Sequence, residues 1–495
     1  MTEKNRQITA LEGLLAGFLL LGFGWLAGCA ARVAPRPPAP HGVDVHVAPD
    51  TGLRQLRVEA CSRGVTRYRR WATPWTRVTV EEGAREGDVL RASARGCVAY
   101  RVALQASRST LLGNDAVVSA QSEWLLRPVG QVDEVRVRFA LPEGLRVATP
   151  WPALVDQHDA PQDTRGRHVS AASADTPGTP ETDAEGAAFV LPSLALQLPS
   201  DVLFGRFELS RRVVGVTELQ VARVAGPLPH GQEELVTHIA RAVELVASVG
   251  GAFPSERVLA VVWPSPSDQP VQFGLTKRGG GASILLFFGE NAAAGSLADD
   301  WVTVHELAHL LHPLVPSADR WLTEGIATYY QEVLRARAGW KTPAVAWTRI
   351  IEGFEAGRRG GTGRSLRDEA LGMHQSAAYT RVYWGGAAFV LAADLQLRAR
   401  GSSFDEAIAR CLREVQRSAR PVSAQELVRA LDPQLLVLAE EYAARSEWAP
   451  TDALLSELGL VYADGAVQFV DAPGSDVRDA IMRGSTGASR QRVVE

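Results

Sequence analysis

Lysine is almost absent from the chain: positions 4, 277 and 341 hold all of it. The remaining basic residues are arginine, which reads as codon bias in a GC-rich genome and not as a binding signature. An excess of positive charge is missing as well. The formal net charge is −4, which argues against a general nucleic-acid binder. No internal repeat is found. Cysteine occurs only four times in 495 residues. Cys61 and Cys97 fall in one strand-rich region and can pair in an oxidising compartment, although sequence does not fix connectivity. Cys411 lies on an amphipathic helix and reads as a small buried hydrophobe. A long apolar run is also lacking. The stretch Leu14–Leu26 is short for a membrane span and is interrupted by glycine, which leaves a single membrane anchor as the alternative to a secretory signal.

The bulk composition is ordinary. With 46% hydrophobic and 22% charged residues the chain can bury large cores, and its length suits two or three domains. At the N-terminus Lys4 and Arg6 precede the apolar stretch, which ends in Leu26-Ala27-Gly28-Cys29. A basic start, a short apolar centre and small residues before a Cys describe a bacterial secretory signal over 1–28. The last four residues resemble the box cut by lipoprotein signal peptidase, which implies lipidation of Cys29 and attachment to a membrane of the cell envelope. Ala30-Ala31 follow Cys29, with no acidic residue next to it, which weakly favours the outer membrane if the host is Gram-negative. Residues 29–42 form a Pro-rich tether.

Residues 43–225 alternate or carry β-branched residues in short runs punctuated by Gly, Pro and Asp, and are expected to form a β-sandwich. Within them 156–188 lacks periodicity and is expected to be a disordered insertion. Residues 226–343 mix strands with helices: Glu233–Val249, the short buried strands Arg257–Trp263 and Ser283–Phe288, then Leu297–Leu311 and Leu322–Ala338. That is an α+β catalytic domain. Residues 344–462 read as helical, with a flexible loop at Gly357–Gly363, and 463–495 as a tail with one weak strand.

The chemistry concentrates at His305-Glu306-Leu307-Ala308-His309. On a helix the two histidines, four apart, share a face and can both reach one ion. Fifteen residues past His309 stands Glu324, in Trp321-Leu322-Thr323-Glu324-Gly325 on a second helix. Two His and a carboxylate with one position open make a catalytic zinc arrangement, and one Zn2+ is expected. Glu306 points to the open side, where it can act as general base and then acid. Thr328, one turn past Glu324, can hydrogen-bond a ligand or can be a surface helix residue. His312 reads as a helix-end residue.

His-Glu-x-x-His followed by Trp-Leu-x-Glu-Gly-x-Ala-x-Tyr-Tyr resembles the gluzincin metallopeptidases. Within them the chain is most similar to the glycyl aminopeptidase family and more distantly to the aminopeptidase N family. Ala140–Pro150, Leu203–Glu208 and Val382-Tyr383-Trp384-Gly385-Gly386-Ala387 carry the likeness further, over roughly 50–460. The resemblance implies a β N-terminal domain, a thermolysin-like zinc domain and a helical C-terminal domain. It implies zinc at His305, His309 and Glu324, Glu306 as base and Tyr383 as transition-state donor. The spacing from His309 to Glu324 is shorter than in either family. Such aminopeptidases hold the substrate amine with an acidic residue in a Gly-rich strand before the zinc helix. The matching stretch here, Gly279-Gly280-Gly281-Ala282-Ser283, has no carboxylate. Gly280, Gly281, Ala282 and Ser283 can still offer an edge to an extended peptide by β-augmentation.

The expectation is therefore a membrane-tethered zinc metallopeptidase acting on peptides or unfolded proteins, with exopeptidase and endopeptidase action both open. The alternative is a non-catalytic zinc-binding envelope lipoprotein that uses the scaffold for binding. The intact Glu306 speaks against it, since a structural zinc needs no base and prefers a closed site.

Overall fold

The computed structural model describes residues 42–107, 109–113, 115–154, 185–415 and 421–484. The expected signal segment, Cys29 and nearly all of the tether lie outside the described residues, as does most of the expected insertion. Its last residues, 185–188, belong to the strand Glu185–Pro192. Among the described residues no helix is long and apolar enough to cross a membrane.

The N-terminal part is a β-sheet domain. A six-stranded sheet runs in the order Glu185–Pro192, Glu134–Ala140, Val43–Pro49, Gln55–Cys61, Cys97–Ala103, Val78–Glu82. Alternation builds it: Val43, Val45 and Val47 turn inward and Asp44 and His46 outward. Two four-stranded sheets share its core, in which Tyr68, Tyr100, Trp124, Phe139, Trp151 and Phe204 are buried. Cys61 and Cys97 face each other in register and are joined by a disulfide.

The next sheet has five strands in the order Phe207–Val214, Thr217–Val224, Arg257–Ser265, Ala282–Gly289, Val271–Lys277. The three inner strands are parallel and the outer two antiparallel. Apolar runs such as Leu259–Val262 are buried because both faces of the sheet are covered, Ala260 and Val262 by the helices and Leu259 and Val261 by strands of the N-terminal domain. The boundary expected at 226 falls inside this sheet. Strand patterning reports burial and not sheet membership, so the hairpin 207–224 read as part of the domain before it.

Helix α1 (Gln232–Gly250) packs on the sheet, and α2 (Val302–Ala308) lies beside the edge strand Val271–Lys277. The metal helix is shorter than the expected Leu297–Leu311, with single 3-10 turns at Ser296–Asp299 and His309–Leu311. Asp300 starts it: Oδ1 accepts the amides of Val302 (2.8 Å) and Thr303 (3.2 Å). Asp300 Oδ2 meets His238 of α1 at 2.8 Å, which ties the start of α2 to the neighbouring helix.

Helices α3 (Arg320–Arg337), α4 (Pro343–Arg359), α5 (Leu366–Ser376) and α6 (Tyr379–Arg398) follow. Four more, Phe404–Val415, Ala424–Leu431, Leu436–Ala444 and Thr451–Glu457, complete the helical region expected to 462. They join the same hydrophobic core as the sheet, so no break in packing occurs at 344. Helix α5 follows the loop expected at Gly357–Gly363. Ser365 caps it by accepting from the Asp368 amide. The tail also holds more than one strand: Leu460–Ala463 pairs with Ala466–Phe469, and Ser475–Arg483 is a helix.

Candidate active site

Three ligand-type side chains converge at the crossing of α2 and α3. His305 Nε2 lies 3.3 Å and His309 Nε2 3.4 Å from the same oxygen, Glu324 Oε2. Zinc bonds of about 2.0–2.1 Å in a tetrahedron require donor separations of about 3.4 Å. The donor set therefore fits one zinc ion, and its two-imidazole, one-carboxylate composition leaves a fourth position open. Burial raises the Glu324 carboxyl, but the His309 and His305 imidazoles outweigh it and hold the group well below its usual range. Burial opposes charge on His305, and the Glu324 and Glu306 carboxylates outweigh that in turn, so the field of the pocket favours a cation.

The tautomers are fixed from outside. Gln331 Nε2 donates to Glu332 Oε1 (3.0 Å), which leaves Gln331 Oε1 to face His305 Nδ1 at 2.8 Å. That carbonyl oxygen accepts, so Nδ1 carries the proton and Nε2 is free for the ion. Arg335 locks the arrangement, donating to Glu332 Oε2 (2.6 Å) and to the Gln331 carbonyl (3.0 Å). His309 is set by His312. His312 Nδ1 donates to the Pro313 carbonyl (2.8 Å), so its Nε2 accepts from His309 Nδ1 (3.4 Å) and His309 Nε2 turns to the site. Burial, then the Arg278 and His309 charges, keep the His312 pKa well below its ordinary value, so the ring is neutral and able to accept. Arg278 holds this turn by donating to the His312 (2.7 Å) and His309 carbonyls.

Glu306 is buried against the edge strand. Thr276 Oγ1 lies 2.8 Å from Glu306 Oε2 and 2.8 Å from its backbone oxygen, and its one proton can serve either. Gly274, two residues back on the same strand face, makes the room: a Cβ there would stand 2.4 Å from Glu306 Cγ.

Tyr383 lies in the second turn of α6, which begins at Tyr379. Its ring stacks on His305 with centroids 5.7 Å apart and planes 13° off parallel. Burial, then the Glu324 and Glu306 charges, push its phenol well above the ordinary range, so it stays a donor. What brings α6 to α3 is a backbone contact. A Cβ on Gly325 would stand 2.3 Å from Gly386 C, and one on Gly386 would stand 1.9 Å from the Trp321 oxygen.

Two sequence expectations fail here. Thr328 is buried and its Oγ1 has no hydrogen-bond partner, so it does not hold a ligand. Gln331, one turn further along the same face, does so because its longer amide reaches His305. The stretch Gly280, Gly281, Ala282 and Ser283 is not the cleft edge. It turns from the edge strand into an inner strand and packs on the N-terminal domain: added Cβ atoms at Gly280 and Gly281 would meet Trp151 Cδ1 (2.7 Å) and the Pro150 oxygen (2.2 Å). Ser283 Oγ accepts the Asp201 amide at 2.8 Å. The true edge beside the triad is Val271–Lys277, and it carries no carboxylate either. Gly274, Thr276, Gln331 and His312 went unrecognised in the sequence. A helical register extended past Glu324 points to Gln331, but nothing local marks the other three.

No protein-family model matches the sequence, and no curated protein is similar to it. Solved structures are similar in fold. An aminopeptidase N family protein from Idiomarina loihiensis superposes with a TM-score of 0.64 at 13% identity, covering 85% of this chain and 78% of its own. The M1 zinc metallopeptidase of Deinococcus radiodurans gives a TM-score of 0.51 at 17% identity, covering 83% and 95%. A variant of the Deinococcus protein was solved with a Tyr-Ser-Ala substrate. The N-terminal β-sheet domain, mixed α/β centre and helical region of this chain are thus an architecture shared with zinc peptidases.

Proposed function

We propose that this protein is a zinc metallopeptidase that hydrolyses peptide bonds, with the five-stranded sheet, α2 and α3 as a thermolysin-like catalytic domain. The observation that carries the proposal is the meeting of His305 Nε2, His309 Nε2 and Glu324 Oε2, with Glu306 beside them. Zinc held there would polarise the scissile carbonyl and acidify a water. Glu306 takes the proton of the attacking water on a carboxylate oxygen and delivers it to the leaving amine. Thr276 and Gly274 keep that carboxylate against the edge strand. Tyr383 donates its hydroxyl proton in a hydrogen bond to the oxyanion that develops on the carbonyl. The edge strand Val271–Lys277 offers main-chain groups to an extended substrate. Because that strand lacks a carboxylate, a strict demand for a free amine is not part of the proposal.

The test is a quenched-fluorescent peptide assay on the zinc-loaded protein and on Glu306→Gln. The variant is expected to keep its zinc and lose on the order of 10²–10⁴-fold in kcat/KM. N-acetylated and free-amine versions of one peptide should be cut at rates within about tenfold, a difference of about 1.4 kcal/mol. Equal rates in the two proteins would contradict the proposal. The Leu26-Ala27-Gly28-Cys29 box extends it: a lipid on Cys29 would tether the enzyme to a bacterial envelope membrane.

A further inference from the structure

Arg320, His374 and Tyr379 form a side-chain cluster one helical turn before the reacting groups. Arg320 lies four residues before Glu324 on α3, and Tyr379 four residues before Tyr383 on α6. Each therefore continues the helix face that reaches the triad. His374, near the end of α5, joins them: its Nε2 is 2.7 Å from Arg320 Nη1 and its Nδ1 is 3.1 Å from the Tyr379 hydroxyl. A guanidinium only donates, so His374 Nε2 accepts, and the ring is neutral with its proton on Nδ1. That proton goes to the Tyr379 oxygen, which leaves the phenol proton free to point outward, and Tyr379 is 41% exposed. The other side-chain bond of Arg320 goes to Ser317 Oγ (3.4 Å), also neutral. The adjoining carboxylate, Asp319, is engaged by the Ala424 amide at 3.0 Å.

Arg320 is thus a half-buried cation oriented by neutral partners, with its charge uncompensated in these contacts. The edge strand Val271–Lys277 has no acidic residue to hold an amine. Arg320 supplies a fixed positive charge one helical turn before Glu324.

We propose that Arg320, oriented by His374 and assisted by the Tyr379 hydroxyl, receives a carboxylate of the peptide substrate and makes the enzyme selective for anionic peptides. The guanidinium fork suits a carboxylate, and the charge-assisted bond is stronger than a neutral one. The carboxylate can be the C-terminus of a short peptide or an acidic side chain. This inference rests on the peptidase reading of the same cleft.

The experiment reads binding without turnover. Fluorescent tripeptides are titrated into zinc-loaded Glu306→Gln protein. One pair differs only in a free or amidated C-terminus, and a second, amidated pair differs only in Glu against Gln. At least one acid form is expected to bind about tenfold or more tightly than its neutral partner. Whichever pair discriminates identifies the source of the carboxylate. Adding Arg320→Ala should reduce the ratio to about one, Arg320→Lys should retain part of it, and the exposed Arg349→Ala should retain all of it. Thermal unfolding of each variant confirms that it folds. Equal affinity in both pairs, no binding of any peptide, or a preference that survives Arg320→Ala would overturn the inference. If wild type cleaves no peptide, the peptidase reading fails, and this binding difference is still read.

Discussion

His312 and Gln331 act on the candidate metal site without belonging to it. Each holds the Nδ1 proton of a ligand imidazole, His312 on His309 and Gln331 on His305, so each sets which nitrogen faces the ion. Removing either partner frees the ring to turn and leaves a buried N–H unpaired. Gln331→Ala and His312→Ala are each expected to weaken zinc binding by about 10- to 100-fold, measured by competition with a chromophoric chelator. Unchanged affinity in both would show that the rings are held by packing alone. The ligands themselves could be read from sequence, because helical spacing is a local rule: positions 305, 309 and the later 324 meet once two helices cross. Gln331 could be reached by counting two turns past Glu324. His312 could not, because its role depends on the chain leaving the helix at His309 and turning back at Pro313. Thr328 has the right face and too short a reach.

At the level of elements, the position of Tyr383 depends on how closely α3 and α6 approach. Gly325 and Gly386 let the two backbones touch, and this contact sets the distance from the tyrosine to the triad. Gly386→Ala would force the helices apart or distort them. A loss of about 1–3 kcal/mol in stability is expected from the overpacking, together with a lower kcat, as Tyr383 moves away from the carbonyl. A melting temperature and kcat both equal to wild type would mean that the close approach is not needed. The same scale explains the misplaced edge strand. From sequence, Gly279–Gly281 looks like the strand that glycines would open to a substrate. In the sheet those glycines have positive φ at 280 and 281 and are crowded by Pro150 and Trp151, so their smallness serves the contact with the N-terminal domain. The neighbouring strand, with one glycine at 274, holds the base. Only sheet order separates the two. Ser365 and Asp368 form the capping signal that starts α5 just past the Gly-rich loop.

Across the whole molecule the sequence divides more sharply than the structure does. The hairpin 207–224 belongs to the catalytic sheet, and the helices after 344 share its core. The buried contacts Lys277–Asp201 and Ser283–Asp201 join the N-terminal β-sheet domain to that sheet. The Cys61–Cys97 disulfide suits an oxidising compartment, and export with a lipid tether is the proposal to be tested. Expression of wild type and Cys29→Ala in a bacterial host with labelled palmitate tests the tether. Label and membrane fractionation are expected for the first only; an unlabelled wild type would remove the lipid from the account.

The central claim is that peptide hydrolysis depends on one zinc ion held by His305, His309 and Glu324. It is tested most directly by stripping the protein with a chelator and titrating zinc back while peptide cleavage is followed. Activity should vanish with the metal and return in proportion to added zinc, reaching its plateau at about one equivalent, and Glu324→Ala should not recover it. Cleavage that persists in the stripped protein, or full recovery by Glu324→Ala, would contradict the account.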